Sequence, residues 1–183
     1  MNDREARVLI LGIGNLLRAD DGFGVRTVER LRRHYRFPER VKLLDGGTGG
    51  ISLLPYVREA DILVVFDAVD FGLPPATFGC IEDDEVPRFL GAKRTSLHQA
   101  GFQEVLSLAR MLGDSPRHLL LVGVQPEEVE EYGSDLRDAV RGLIDPAIQS
   151  ALAWLAARGV PFERVDGASA GERVKGGVTA PGS

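Results

Sequence analysis

Four aspartates and one histidine stand where a chain of this pattern could do chemistry. Asp20 and Asp21 close a glycine-rich loop that follows the apolar run Val8 to Leu11, Asp45 ends the run Val41 to Leu44, and Asp67 ends the run Ile62 to Phe66. His98, in Thr95-Ser96-Leu97-His98-Gln99, sits in a loop just ahead of a helical pattern. Each has a plain structural explanation when taken alone. Aspartate caps helices and turns chains after strands, and a loop histidine is commonly a capping or surface group. Taken together, two carboxylates and an imidazole form an oxygen-and-nitrogen donor set suited to zinc, nickel or a similar divalent ion with coordination positions left open.

The elements that must position these groups follow from periodicity. Short continuous apolar runs at Val8–Leu11, Ile62–Phe66 and Leu119–Val124 have the form of strands buried on both faces, and Val41–Leu44 gives a further strand stopped by Asp45-Gly46-Gly47. Val25, Val28, Leu31 and Tyr35 mark one face of a helix after the first loop, and Ile51 to Glu59 reads as a short helix despite Pro55. Phe71–Pro75 is a turn, and a strand is expected at Thr77–Ile81. Phe102, Val105, Leu106, Ala109 and Leu112 define a helix from Gln99 that stops at Gly113. A last helical phase runs from Leu136 to Leu155, kinked or restarted at Asp145-Pro146 with Asp145 as cap, and closes at Gly159.

Alternating strands and helices imply right-handed crossovers. The expected fold is therefore α/β, a three-layer α/β/α sandwich around a mainly parallel twisted sheet of about five strands. Residues 1–165 are expected to form one domain and residues 166–183, rich in Gly, Ala, Ser and Pro, a flexible tail. In open sheets of this kind ligands gather at the carboxyl ends of the strands, where Asp20-Asp21, Asp45 and Asp67 fall.

Composition sets outer bounds. The 183 residues, 44% hydrophobic and 27% charged, suit a single folded domain. A net charge of -5 argues against nucleic acid or anionic membrane as partner. Cys80, the one cysteine, excludes an internal disulfide and a zinc site built on several thiolates, and it reads as a small buried residue. The charged start Met1 to Arg7 is unlike a secretory signal and no apolar run is long enough for a membrane helix, so a cytoplasmic location is expected.

The ordered motifs Leu11-Gly12-Ile13-Gly14-Asn15, Asp20-Asp21-Gly22-Phe23-Gly24, Asp45-Gly46-Gly47-Thr48, Phe66-Asp67-Ala68-Val69-Asp70, Ser96-Leu97-His98-Gln99 and Gly123-Val124-Gln125-Pro126 resemble those of the hydrogenase maturation endopeptidases. The resemblance spans about Val8 to Arg158. It implies an endopeptidase that removes the C-terminal extension from the nickel-loaded precursor of the nickel-iron hydrogenase large subunit. It also implies that Asp21, Asp67 and His98 are the metal-binding and catalytic positions. The first of these is often glutamate in the family, so aspartate here shortens that ligand arm. The implied metal is Ni2+ delivered by the precursor, and Zn2+ or Cd2+ can take the same ligands in vitro. Asp45 is a further catalytic-site candidate, as a substrate contact, and Gln99 and Gln125 are candidates to orient the ligands. A monomer is expected.

Rival readings give definite contrasts. Gly12-Ile-Gly14 begins like a dinucleotide fingerprint and Asp45 imitates its ribose-binding acid, but Leu17 occupies the third glycine's place and Asp20-Asp21 would face the pyrophosphate. Gly167-Ala-Ser169-Ala-Gly171 fits a nucleophile elbow but lies in the expected tail, and no His-Glu-x-x-His is present. A nickel-binding chaperone without protease activity would use the same loops. His34 and His118 have no evident partners in sequence, and no role is assigned to them.

Overall fold

The computed structural model describes residues 5–92, 97–133 and 135–165, with the side chains of 91–92 and 97–99 outside that description. The strands are β1 (Val8–Ile13), β2 (Tyr35–Arg36), β3 (Val41–Gly47), β4 (Ile62–Ala68), β5 (Phe78–Glu82), β6 (His118–Val124) and β7 (Glu163–Arg164). The helices are α1 (Phe23–His34), α2 (Leu54–Glu59), α3 (Glu85–Ala92), α4 (Leu97–Met111), α5 (Asp138–Arg141) and α6 (Ile144–Ala156). Two 3-10 turns, Ala19–Gly22 and Gly50–Leu53, lead into α1 and α2.

Five strands form one sheet in the order β3-β1-β4-β6-β5. The β1–β3, β1–β4 and β4–β6 pairs are parallel, and only β5 runs antiparallel, against β6. Every residue of β1 and β4 is buried, as the apolar runs require of central strands covered on both faces. Alternation along the strands splits the core in two. Val8, Ile10, Val64, Phe66 and Val122 pack with Phe23, Val28 and Leu31 of α1 and Ile148, Leu152 and Leu155 of α6. Leu9, Leu11, Leu63, Val65 and Leu121 pack on the other face with Val57 of α2, Val86 and Leu90 of α3, and Phe102, Val105 and Ala109 of α4. The three-layer α/β/α sandwich is thus present, with its five-stranded, mainly parallel sheet.

Several local expectations need correction. The last helical phase is two helices, and α6 begins at Ile144 after Leu143, so Asp145 is inside the first turn rather than its cap. Its carboxylate instead accepts two hydrogen bonds from Arg30 on α1, at 2.6 and 2.7 Å. That pairing raises the Arg30 guanidinium above its ordinary value. The helix expected from Gln99 starts at Leu97, which moves the backbone of His98 from a loop into the first helical turn. Cys80 is exposed, because edge strand β5 turns it outward, where its Sγ lies 3.3 Å from Ser150 Oγ. Helix α3 and the antiparallel β2–β7 pair add to the expected elements. Among the described residues no helix is long and apolar enough to cross a membrane. The expected tail, and the elbow-like Gly167–Gly171 within it, lie outside the described residues.

Candidate functional site

The chain leaves β1, returns through α1 to β3 on one side, and then crosses to β4 on the other. The crevice beyond the carboxyl ends of β1 and β4 is therefore the point at which successive connections diverge, the usual ligand position in such sheets. Asp21 comes from the connection leaving β1 and Asp67 from the end of β4 itself.

Close backbone packing brings these two segments together. Gly14 has φ +134, and a Cβ there would lie 1.8 Å from the carbonyl oxygen of Asp21, so only glycine lets the loop fold back on the 3-10 turn. A Cβ on Gly24 would lie 2.1 Å from Phe66 O and 2.3 Å from Ile13 O, so the start of α1 rests directly on the backbones of β1 and β4. The Ala19–Gly22 turn consequently packs against β4. Ala19 takes φ 28, an uncommon value for a residue with a side chain, within this turn.

The two adjacent aspartates have different work. Asp20 is fully buried and accepts three backbone N–H bonds: Oδ2 from Glu127 at 2.9 Å and Glu128 at 3.0 Å, and Oδ1 from Arg137 at 2.8 Å. It ties the segment after β6 to the rim of the site. Within that segment the backbone N–H of Leu136 holds the Asp135 carboxyl below its usual range, opposed by burial and helped by Arg141 and Arg26. Asp21 is 6% exposed and its Oδ2 accepts the Asn15 N–H at 3.1 Å. Both carboxylates stand just ahead of α1, where the helix N-terminus favours negative charge.

Asp67 is 2% exposed and opposite Gly123 of β6 in the sheet register. Leu63 and Val65 face the core under α4, and residue 67 continues that alternation. Helix α4 leads into the amino end of β6, so its own first turn lies at the carboxyl rim. Gly101 abuts Gly50 in the turn after β3, which fixes that end of α4 in place. The backbone of His98 is therefore on the same rim and the same face as Asp67, while its side chain lies outside the described residues, as does that of Gln99. Among the described residues no three His, Cys, Asp or Glu side chains are grouped to hold a metal ion.

Asp45 is exposed and pairs in register with Gly12, and its Oδ1 accepts the Gly47 N–H at 2.9 Å, forming the turn that Gly47 completes with φ +46. Gln125 Oε1 accepts the N–H groups of Phe71 at 2.8 Å and Leu73 at 3.3 Å, pinning the loop that follows Asp67. The clamps made by Asp20 and Gln125 leave no mark in the sequence. Nothing local distinguishes Asp20 from Asp21, because its partners lie more than a hundred residues away. At the start of α1 these carboxylates take the space and sign that a dinucleotide phosphate would need, which disfavours that rival.

Two buried carboxylates and the first turn of the helix that carries His98 thus stand on one rim, bringing oxygen and nitrogen donors of the kind divalent cations accept to the same side of the sheet. Comparisons with known proteins identify the family of the chain. The family model for hydrogenase maturation protease matches residues 25–154, a span that includes Asp45, Asp67 and His98 and begins just past Asp21. A hydrogenase expression/formation protein, HupD, from Thiocapsa roseopersicina is 62% identical over 160 residues, covering 87% of this chain and 72% of its own. The hydrogenase 2 maturation protease of Escherichia coli K12 is 42% identical over 155 residues, covering 84% of this chain and 93% of its own. Among solved structures, the hydrogenase maturating endopeptidase HybD from E. coli superimposes with a TM-score of 0.82 at 40% identity, covering 86% of this chain and 97% of that one. A nickel-iron hydrogenase maturation protease from Thermococcus kodakarensis gives 0.66 at 25% identity, covering 81% and 98%.

Proposed function

Since this chain belongs to the hydrogenase maturation protease family, we propose that it removes the C-terminal extension of the nickel-loaded precursor of a nickel-iron hydrogenase large subunit. The observation that carries the reading is the packing of the Asp21 turn against β4, which puts Asp21 and Asp67 on one rim beside the first turn of α4. In this reading nickel belongs to the substrate. Asp21, Asp67 and His98 supply ligands to it, and the scissile peptide is fixed by being tethered to a metal that the rim holds. Zinc or cadmium would fit the same oxygen-and-nitrogen donors in vitro. All three groups come from one chain, so a monomer suffices.

The test is to mix the purified protein with nickel-loaded and nickel-free precursor and to weigh the products by mass spectrometry. Release of the C-terminal peptide from the loaded precursor alone is the expected result, and nickel binding without any released peptide would instead describe a chaperone. His98→Ala is expected to slow release by about a hundredfold, the scale on which positioned metal-site groups act. Undiminished processing by that variant would remove the proposed role.

Asp45 can be separated into its turn and its charge. Asp45→Asn retains an acceptor for the Gly47 N–H, so the melting midpoint should not move. If the exposed carboxylate contacts the precursor, KM should rise by about tenfold with kcat kept, the pattern of lost uniform binding. Unchanged kinetics would leave Asp45 as a turn stabiliser.

A further inference from the structure

The amino edge of the sheet, opposite the proposed peptidase rim, gathers positive charge around a cavity. Backbone hydrogen bonds stitch three segments side by side there: Asp61 N–H and Ile62 N–H donate to Arg7 O at 2.8 and 3.1 Å, and Arg117 N–H donates to Asp61 O at 2.8 Å. That stitching holds Arg7 and Arg117 on either side of Asp61. Together with His118 and Arg158 they line a cavity of about 430 Å³. Asp61 is the one carboxylate in the lining, and it is already engaged by the Arg7 N–H at 2.8 Å. Arg7 Nε stands 3.7 Å from Asp61 Oδ2, too far for a hydrogen bond.

Two of these cations already have a carboxylate partner, and among the described residues Arg117 has none. The Nε atoms of Arg7 and Arg158 are buried with no hydrogen-bond partner. Arg158 is held flat over the Trp154 ring, 3.5 Å from its centroid, where one terminal nitrogen donates to Trp154 O at 3.1 Å and the other is ion-paired with Glu82 at 3.4 Å. Among the described residues the exposed side chains of Arg117 and His118 enter no hydrogen bond or ion pair. With Glu82 paired to Arg158 and Asp61 to Arg7, the three guanidiniums meet two carboxylates, and the positive charge left without a counter-ion among the described residues is that of Arg117, on a chain whose net charge is -5. An anion entering the cavity would give Arg117 the counter-charge that Asp61 and Glu82 give its two neighbours.

We propose that this cavity is an anion site for a phosphate chain of the pyrophosphate class, free or carried by a nucleotide. Guanidinium forks match phosphate oxygens in pairs, and the volume lies within the range of small-ligand pockets rather than that of a single bound ion. The site is independent of the peptidase reading and uses none of its residues. The test is isothermal titration of the full, metal-stripped chain with orthophosphate, pyrophosphate and ADP, alongside Arg117→Gln and Arg117→Glu. Arg117 is exposed and ties the fold only through its backbone, so both variants should keep the melting midpoint of the unliganded protein.

Saturable one-site binding of pyrophosphate is expected, weakened about tenfold by Arg117→Gln and more by Arg117→Glu, as loss of a charge-assisted pair implies. Tighter binding of ADP than of pyrophosphate would identify a nucleotide as the source of the phosphates, and equal or weaker binding a free polyphosphate. No saturation by wild type up to about 10 mM, an affinity too weak for a built site, would overturn the proposal. So would binding to Arg117→Glu within about twofold of wild type, since reversing a contacting charge must cost more than that.

Discussion

Asp67→Asn should lower the rate of precursor processing by about a hundredfold or more while the protein remains folded. The substitution keeps the volume and an oxygen acceptor at a position only 2% exposed, so packing at the end of β4 is preserved and the melting midpoint should shift by no more than a few degrees. What it removes is the negative charge. A neutral amide is a poor ligand for a divalent transition ion beside a carboxylate, and the electrostatic attraction that would draw nickel to the rim falls with it. The experiment pairs a time course of peptide release from the nickel-loaded precursor with a thermal melt. A large loss of rate at near-constant stability is the signature of a charge kept for a ligand. Full activity would show that Asp67 is a strand-end residue and nothing more.

Gly24→Ala should cost more than about 3 kcal/mol and leave little folded protein, although it adds one methyl group to a helix. The new Cβ would fall 2.1 Å from Phe66 O and 2.3 Å from Ile13 O, and both obstacles are backbone atoms of fully buried central strands. Neither can rotate aside, so α1 must lift off the sheet, and overpacking that displaces backbone is at the upper end of such penalties. Because Phe66 precedes Asp67, the same displacement would separate the Asp21 turn from β4. Gly142→Ala is the control. Gly142 already has helical φ and ψ of -62 and -18, and a Cβ there meets nothing closer than 3.4 Å, so its stability should stay within about 0.5 kcal/mol of wild type. Circular-dichroism melts and soluble yield of both variants decide the matter. A Gly24→Ala protein as stable as Gly142→Ala would mean that α1 does not rest on the strands as described.

The sequence by itself determined the strands whose burial is complete. Val8 to Ile13, Ile62 to Ala68 and nearly all of His118 to Val124 are buried on both faces, so their continuous apolar runs carry the signal without help from neighbours. It also placed Asp21, Asp67 and His98 at strand or helix ends, because a carboxyl end of a parallel strand is marked by the point where the apolar run stops.

Elements whose stability comes from distant partners were not legible in that way. The direction of β5 depends on pairing with β6, some forty residues later in the chain, and β2 and β7 are two residues each, held by one another. Asp145 resembled a cap because Asp before Pro usually is one, yet α6 starts a residue earlier and the carboxylate meets Arg30 across the molecule. The division of labour between Asp20 and Asp21 is the clearest case. Two identical neighbours in sequence differ because one meets the backbone N–H groups of Glu127, Glu128 and Arg137 and the other accepts the N–H of Asn15 in its own loop. Local pattern determined which residues are buried and where the chain turns. Tertiary structure alone decided which carboxylate reaches across the molecule and which bonds within its own loop, because hydrogen-bond partners and charge neighbours are set by which segments meet in space.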